Sequence, residues 1–278
     1  MKENTVRIAV AAHKPYPMPE DAMYLPVFVG AELNGDRIRQ FPGGTITGDN
    51  TGDHISGKNP GFCELTALYW AWKNVPDRYI GLVHYRRHFS GPGRKGSRPE
   101  DALRFTELRP LLADCSIFVP QKRNYVIESL YSHYSHTHDA AHLDLTRRII
   151  AGRFPAYLPF FDRVMRERSG YMFNMMIMRR DLLDRYCSWL FPILFELEDR
   201  LAGDPSYESL SAYQKRLFGR VSELLLNVWL QYELSCGTVK PEEICELPWF
   251  GTERTNWVRK GSAFLSAGIF HRKYKGSF

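Results

Sequence analysis

The segment from Cys63 to Phe89 constrains the fold more than any other, because it joins a helical pattern directly to a buried strand. The helical part has apolar and aromatic side chains spaced i, i+3, i+4 and i+7, at Leu65, Leu68, Tyr69 and Trp72. That spacing predicts a helix with one buried face over residues 60–74. The apolar run Tyr79–Val83 predicts a buried strand over residues 79–84. A helix that leads into such a strand is typical of α/β proteins.

The predicted strand ends in a cluster of basic and aromatic residues. These residues are His84, Tyr85, Arg86, Arg87 and His88. In open α/β sheets, ligands bind beyond the carboxyl ends of the strands. Guanidinium groups present forked donors that match phosphate oxygens, so Arg86 and Arg87 suit a phosphate or pyrophosphate. The alternative is a pair of surface arginines that form ion pairs with acidic side chains of a helix.

Strand and helix patterns alternate along the rest of the chain. Further strands are predicted at residues 7–12, 24–30, 116–120 and 171–178, and further helices at 103–113, 127–150, 181–201 and 213–234. This order predicts an α/β fold with a mostly parallel central sheet flanked by helices and a helical C-terminal half. We expect one domain over residues 1–234, followed by an irregular basic C-terminal extension at 235–278.

The composition is that of an ordinary globular protein, since 44% of the 278 residues are hydrophobic and 24% are charged. The five cysteines are widely spaced and include no Cys-x-x-Cys pair, so we expect reduced thiols and no disulfide framework. The N-terminal residues show no apolar signal segment, and no run of about 18 apolar residues occurs. These features predict a cytoplasmic protein.

The formal net charge of +6 is concentrated near the C-terminus. Residues 251–278 hold six lysines and arginines against one acid, with aromatic and apolar side chains between them. Such a segment suits an anionic membrane surface, which predicts peripheral contact with the inner face of a membrane. The alternative is a solvated terminus.

A polar loop precedes the helix predicted at residues 60–74. Its hydrogen-bonding residues include Asp49, Asn50, Lys58 and Asn59. Backbone amides at a helix N-terminus favour anions and Lys58 adds positive charge, so the loop is a candidate for nucleotide binding. Asp49 and Asn50 are candidates for contacts with uracil or ribose. The alternative is turn chemistry alone, since Asp, Asn, Ser and Gly form turns without a ligand.

Two polar residues lie within apolar segments. Glu223 is followed by three leucines in a predicted helix, where a half-buried carboxylate can accept the proton of an attacking hydroxyl group. Asp144, Asp139 and Glu64 compete for this role, and a structural ion pair is the alternative for Glu223. Asn174 interrupts an apolar strand and needs hydrogen-bond partners if it is buried.

Four of the nine histidines fall within ten residues, at His133, His136, His138 and His142. His138 and His142 share one face of a predicted helix, a spacing compatible with metal ligation. No carboxylate or cysteine completes a known metal spacing, so we prefer a polar helix or loop near a substrate. His138 and Asp139 are then candidates for contacts with substrate hydroxyl groups.

The segments ELTALYWAWKN and YIGLVHYRRHF resemble the signature of a bacterial family catalogued as domain of unknown function 4422. The likeness extends over about residues 6–232 and includes GDNTGDHISGKN, NMMIMRRDLLDRYCSWLFPILFELEDR and GRVSELLLNVWL. The family's last block has Glu-Arg ahead of the leucines, whereas this chain has Glu223-Leu224. Members are usually described as capsular or exopolysaccharide biosynthesis proteins and are grouped with GT-A glycosyltransferases.

The resemblance implies a GT-A-like nucleotide-sugar-binding fold that transfers a sugar, with inversion, from a UDP-sugar to a surface polysaccharide or lipid-linked acceptor. Some relatives are described as galactofuranosyltransferases, so UDP-galactofuranose is one candidate donor. The implied donor-site residues are Arg86, Arg87, His84, Tyr85 and the loop from Asp49 to Asn59. The implied sugar contacts are Asn174, His138 and Asp139, and the implied general base is Glu223.

Many GT-A enzymes hold Mn²⁺ or Mg²⁺ at the donor diphosphate with an Asp-x-Asp motif at a strand end. This chain contains no Asp-x-Asp, so we hypothesise that the arginines after the strand replace a divalent metal. Two other classes stay open, namely a non-catalytic nucleotide- or carbohydrate-binding subunit of a polysaccharide assembly complex and a nucleic-acid-binding protein. The charge excess is mild and no nucleic-acid motif occurs, so we expect no nucleic acid partner.

Overall fold

The computed structural model describes residues 5–41 and 46–252. Its strands, in chain order, are β1 (Val6–Ala12), β2 (Tyr24–Phe28), β3 (Thr47–Gly48), β4 (Tyr79–His84), β5 (Arg87–Phe89), β6 (Ile117–Pro120), β7 (Arg123–Asn124), β8 (Ser169–Gly170), β9 (Met176–Arg179), β10 (Ile244–Leu247) and β11 (Trp249–Gly251).

The main sheet has the strand order β10-β6-β9-β4-β1-β2-β3. Within it, β9 runs antiparallel to β4 and β6, whereas the other neighbours in this order pair in parallel. The predicted α/β fold with a mostly parallel sheet is therefore confirmed. Because β4, β1 and β2 are parallel neighbours, their carboxyl ends meet at one edge of the sheet.

The helices within the described residues surround this sheet. They are α1 (Ala31–Asn34), α2 (Asn59–Phe62), α3 (Leu65–Asn74), α4 (Phe105–Leu108), α5 (Leu130–Thr137), α6 (Ala141–Arg153), α7 (Leu158–Val164), α8 (Arg180–Leu201), α9 (Pro205–Glu208) and α10 (Leu217–Ser235). Helices α3 and α8 pack against β4, and α10 packs against α7 and α8. None of these described helices is both long and apolar enough to cross a membrane.

The helix predicted over residues 60–74 is divided in two. Helix α2 ends at Phe62 and α3 begins at Leu65. Between them, Cys63 has a φ of 53° and a ψ of −126°, a conformation that residues other than glycine rarely adopt. The predicted buried face is present in α3, where Leu65 and Leu68 have no exposed surface.

The strand predicted over residues 171–178 is shorter than expected. Strand β9 begins only at Met176, after a turn in which Phe173 has a φ of 75° and Asn174 a φ of 53°. Extended strands need negative φ, so the sheet pairing cannot continue through these two residues. The apolar pattern did not indicate the turn, because both residues are buried within it.

The C-terminal extension predicted to be irregular contributes two strands to the sheet. Strand β10 pairs in parallel with β6, and β11 pairs antiparallel with β5. Strand β5 was not predicted either, and it forms a hairpin with β4 whose turn is Tyr85-Arg86. These strands have only three or four residues, too few for a clear apolar pattern. Residues 253–278, and with them most of the predicted membrane-contact segment, lie outside the described residues.

Cys115 and Cys245 form a disulfide bond, with their Cα atoms 6.0 Å apart. This bond corrects the expectation that all five cysteines are reduced thiols. Its structural origin is the parallel pairing of β10 with β6, in which Ile244 lies opposite Ile117. The two cysteines are 130 residues apart in sequence, so no local spacing indicated the pair. The free cysteines of the described residues are Cys63, Cys187 and Cys236.

Candidate functional site

A cavity of about 280 Å³ opens at the carboxyl ends of β1, β2 and β4. Residues at or after the ends of these strands form part of its wall, and α2, the α2–α3 junction and the residue before α10 form the rest. The lining residues are Ala11, His13, Val29, Asn59, Pro60, Cys63, Glu64, His84, Tyr85, Arg86 and Arg216. The structure thus places four predicted site residues, Asn59, His84, Tyr85 and Arg86, around one cavity.

One wall of the cavity is positively charged. Arg86 occupies the hairpin turn between β4 and β5, and Arg216 directly precedes α10. The ring of His13 packs edge-on against the ring of Tyr85, with 5.1 Å between their centroids. Burial lowers the pKa of His13, and the charges of Lys14, Arg86 and Arg216 lower it further. Because Arg86 and Arg216 both line the cavity and both act on His13, the wall carries positive charge and suits an anionic ligand.

Sequence reasoning missed His13 and Arg216. His13 had a usable signal, because it follows β1 just as His84 ends β4. Arg216 had none, since its place depends on a contact between distant parts of the chain. Its Nε–H group donates to Sγ of Cys63 over 3.1 Å, across 153 residues of sequence.

Glu64 is the acidic residue of the cavity lining. Its Oε1 accepts a hydrogen bond from Nδ2 of Asn174 at 2.6 Å and lies 3.7 Å from Nε2 of His84. Burial opposes the ionisation of Glu64, but His84, the Asn174 amide and Arg220 outweigh it and lower the pKa of Glu64. Burial lowers the pKa of His84, against the opposing field of Glu64. The two groups therefore titrate as a pair, with the carboxylate of Glu64 held next to the imidazole of His84.

Strained backbone surrounds this carboxylate. Within the described ranges, the residues other than glycine with positive φ are Cys63, Val126, Phe173 and Asn174. Such conformations cost about 1–3 kcal/mol each and cluster at functional sites. Cys63 directly precedes Glu64, and Asn174 donates to it. Asn174 also donates to the carbonyl of Gly219 at 3.0 Å, while its buried Oδ1 has no hydrogen-bond partner among the described residues.

Glu223 lies on α10 and forms an ion pair with Arg220, with 3.1 Å between Oε1 and Nη1. This is the contact that the alternative interpretation anticipated. Glu223 is the main cause of a raised pKa of Arg220, and its charge also acts on His84. Arg87 lies over the ring of Phe173 at 4.7 Å. Glu223 and Arg87 are therefore next to the cavity without belonging to its lining.

Asp49 faces the protein interior and does not line the cavity. Its side chain is fully buried, and its carboxylate oxygens accept hydrogen bonds from the amides of Gly30 and Ala31, both at 3.0 Å. The hydroxyl group of Ser56 donates to the same carboxylate. These bonds join the loop that follows β3 to the N-terminus of α1, which is a structural arrangement.

The other predicted residues of this loop separate into two groups. Asn59 lines the cavity, and its Nδ2 donates to the carbonyl of Cys63 at 2.8 Å. Lys58 is directed to α8, where its Nζ lies 2.6 Å from Oε2 of Glu198. Asn50 is exposed and is not a lining residue.

The four histidines of residues 133–142 lie in α5, in α6 and, for His138, between the two helices. Across residues 5–41 and 46–252, no group of three His, Cys, Asp or Glu side chains is arranged to hold a metal ion. The ring of His138 lies 5.6 Å from that of Tyr213, and burial, together with Arg220, lowers the pKa of His138 to about 3. Asp139 is exposed and accepts the amide of Ala141 at 2.9 Å. Replacement of a metal by arginines stays a prediction.

Buried His88 makes the stability of the protein sensitive to acid. Burial lowers the pKa of His88 to about 4 from its usual 6.5, so unfolding takes up a proton between these pH values. The stabilisation is complete above pH 6.5 and is lost as the pH falls to about 4, at about 1.4 kcal/mol per pH unit. Urea unfolding at several pH values should show this slope. His88→Gln should reduce the slope, and half-exposed His54→Gln should not; equal slopes in both variants would contradict the assignment.

The fold and cavity define an α/β protein with an arginine-lined cavity at its strand ends. The sequence profile of the family described as "Domain of unknown function (DUF4422)" matches residues 7–234, and the chain belongs to this family. The structure is similar to the apo structure of WbbM, a bifunctional glycosyltransferase, with 28% sequence identity and a TM-score of 0.78. The match covers 91% of this chain and 46% of that chain, so this chain spans about half of its length. A comparison with curated proteins found no match.

Proposed function

We propose that this protein is a glycosyltransferase that moves a sugar from a nucleotide donor to a glycan acceptor. The observation that carries the proposal is the strand-end cavity, which Arg86 and Arg216 line together with His13 and Glu64. The similarity to a bifunctional glycosyltransferase over 91% of the chain supports it. Cationic groups fixed where a leaving diphosphate gains charge stabilise the transition state.

In the proposed reaction, a hydroxyl oxygen of the acceptor bonds to the anomeric carbon of the donor sugar. The bond from that carbon to the diphosphate breaks, and its electron pair leaves with the nucleoside diphosphate. Arg86 and Arg216 balance the resulting negative charge, and Arg87 adds to the field from its place over Phe173. The hydroxyl proton passes to a carboxylate, which we assign to Glu223. Attack opposite the leaving group inverts the anomeric centre.

Glu64 is less suited to take this proton, because its carboxylate lies beside the cationic wall assigned to the diphosphate. The amide of Asn174 already donates to it, and its ionised form is favoured there. We propose that Glu64 positions Asn174. The Oδ1 atom of Asn174 would then accept a hydrogen bond from a hydroxyl group of the donor sugar. We assign His138 and Asp139 to contacts with hydroxyl groups of the acceptor. The charge of Arg220 acts on His138.

The donor and acceptor assignments depend on the family resemblance. We propose a UDP-sugar, with UDP-galactofuranose as the first donor to test, and a surface polysaccharide or lipid-linked glycan as acceptor. Asn59 and the rest of its loop would support the nucleotide. The reaction would take place in the cytoplasm, at the inner face of the membrane.

A thermal-shift panel tests the donor site. UDP, GDP, CMP and dTDP are each added with Mn²⁺ and with EDTA, since a ligand at about 100 times its Kd stabilises the native state by about 2.7 kcal/mol. We expect UDP to raise the unfolding temperature equally in both media. Arg86→Ala should abolish the shift, whereas Arg148→Ala, an exposed arginine of α6, should retain it.

Other results of this panel would contradict parts of the proposal. A UDP shift that needs Mn²⁺ and disappears with EDTA would contradict the replacement of a metal by arginines. A shift that persists in Arg86→Ala would place the nucleotide elsewhere. No shift with any nucleotide would contradict the donor site.

A further inference from the structure

A two-stranded ribbon near the site carries an exposed apolar tip. Strands β7 and β8 pair antiparallel, and the chain that leaves β7 passes through Tyr125 to Val126 and Ile127. Val126 is 67% exposed and Ile127 is 64% exposed. In the described part of the chain, Leu33 is the other large hydrophobic residue with comparable exposure. Transfer of two such adjacent side chains out of water is favourable.

The tip is held in place by specific hydrogen bonds. Val126 has a φ of 60°, which is a strained conformation for a β-branched residue. Its N–H group donates to Oδ1 of Asn124 at 2.8 Å, and the N–H group of Ile127 donates to the carbonyl of Tyr125 at 2.7 Å. Nη1 of Arg168 donates to the carbonyl of Val126 at 3.4 Å. The surrounding bonds thus hold Val126 in a strained conformation, with its side chain and that of Ile127 in water, and such strain is found where a segment contacts a ligand.

Basic residues precede both strands of the ribbon, and one of them, Arg168, contacts the tip. Those that are exposed are Lys122, Arg166 and Arg168. Arg123 lies over the ring of Tyr125 at 4.9 Å. The acidic residues of this region, Glu128 and Glu167, are outnumbered by the four basic residues Lys122, Arg123, Arg166 and Arg168. Apolar side chains within a basic border match the headgroup region of an anionic bilayer.

Hydrogen bonds connect the ribbon to the part of α10 that carries Glu223. The amide of Tyr171, next to β8, donates to Oδ1 of Asn227 at 2.8 Å. Nδ2 of Asn227 donates in turn to the carbonyl of Glu223 at 2.9 Å. Burial raises the pKa of Tyr125 to about 12, and the charge of Glu223 also acts on its hydroxyl group. The charge of Glu223 therefore reaches the residue that directly precedes the tip.

We propose that the β7–β8 tip docks onto an anionic lipid bilayer, with Val126 and Ile127 among the headgroups and the basic side chains at lipid phosphates. The role of this contact rests on the proposed function, because docking here would present a lipid-linked acceptor to Glu223. The contact is distinct from the one predicted for residues 251–278.

The test measures binding of the full chain to vesicles of phosphatidylcholine alone and of phosphatidylcholine with roughly one-third phosphatidylglycerol. We expect binding to the anionic vesicles only. Val126→Asp/Ile127→Asp should weaken it about tenfold or more, since two apolar contacts are lost and two negative charges are added. Leu33→Asp, the matched control, should stay within about twofold of wild type. All three proteins retain residues 253–278, so a difference between them belongs to the tip.

Equal affinity of the double variant and wild type would overturn the proposal, as would binding to neutral vesicles alone or to none. A second variant, Lys122→Glu/Arg168→Glu, should bind anionic vesicles more weakly than wild type. The difference in affinity should be largest at low salt, because salt screens exposed charges. The UDP shift should persist in all these variants. If wild type showed the UDP shift but bound no vesicles, the docking surface alone would be refuted. If wild type showed no UDP shift, the donor site would be refuted.

Discussion

Replacing Glu223 by Gln is expected to lower kcat by about 10²–10⁴-fold, the range that a positioned general base contributes. The amide keeps the shape of the side chain and can still accept a hydrogen bond from Arg220, 3.1 Å away in the native protein. The fold and the UDP shift should therefore be retained. Transfer would be measured with the donor that the nucleotide panel selects, under saturating conditions.

Two carboxylates serve as controls for this prediction. Asp144 is exposed and accepts the hydroxyl of Tyr131 at 3.1 Å, so Asp144→Asn should leave kcat within a few-fold of wild type. Glu64→Gln should mainly weaken binding of the nucleotide sugar, because Glu64 positions Asn174, the residue assigned to the donor sugar. If Glu64→Gln lost turnover at saturating donor while Glu223→Gln retained it, the base would be Glu64. A binding subunit without catalysis would show no turnover in wild type.

Asp49→Ala is expected to lower the free energy of unfolding by about 2–4 kcal/mol. The substitution leaves the amides of Gly30 and Ala31 and the hydroxyl of Ser56 without their acceptor in a fully buried place. Asn50→Ala, at the exposed neighbouring position, should change the free energy of unfolding by no more than about 0.5 kcal/mol. Urea unfolding measures both values.

The same pair of variants tests the prediction that Asp49 contacts the nucleotide. If Asp49→Ala were as stable as wild type and bound UDP more weakly, Asp49 would act at the ligand. If it were destabilised and its residual folded population kept wild-type affinity, the carboxylate would be structural. The native hydrogen bonds favour the second result.

The parts of the fold predicted well from sequence are those with a strong local pattern. Strand β4 was predicted to its last residue, because five apolar or small residues are followed by charged ones. Helix α8 was predicted to within one residue at its start, despite Pro192 within it. The prediction that Arg86 lies at a ligand site followed from its position after β4, since ligands bind beyond the carboxyl ends of strands in open α/β sheets.

The parts that were missed depend on contacts between distant segments. Arg216 reaches the cavity only because α10 packs next to α2. The inward direction of Asp49 depends on where the amides of Gly30 and Ala31 come to lie. The backbone reversals at Cys63 and Phe173 are imposed by surrounding structure and contradict local preference, so patterns of apolar residues could not reveal them.

The boundary of the family match does not coincide with a boundary of the folded unit. Beyond residue 234, β11 pairs with β5 directly after Arg86, and the amide of Thr252 donates to the carbonyl of Arg86 at 3.0 Å. A chain cut at residue 234 would leave β6 with an open edge and Cys115 without its partner. It would also remove a backbone support of the arginine assigned to the leaving group. The folded unit that holds the candidate site therefore extends at least to residue 252.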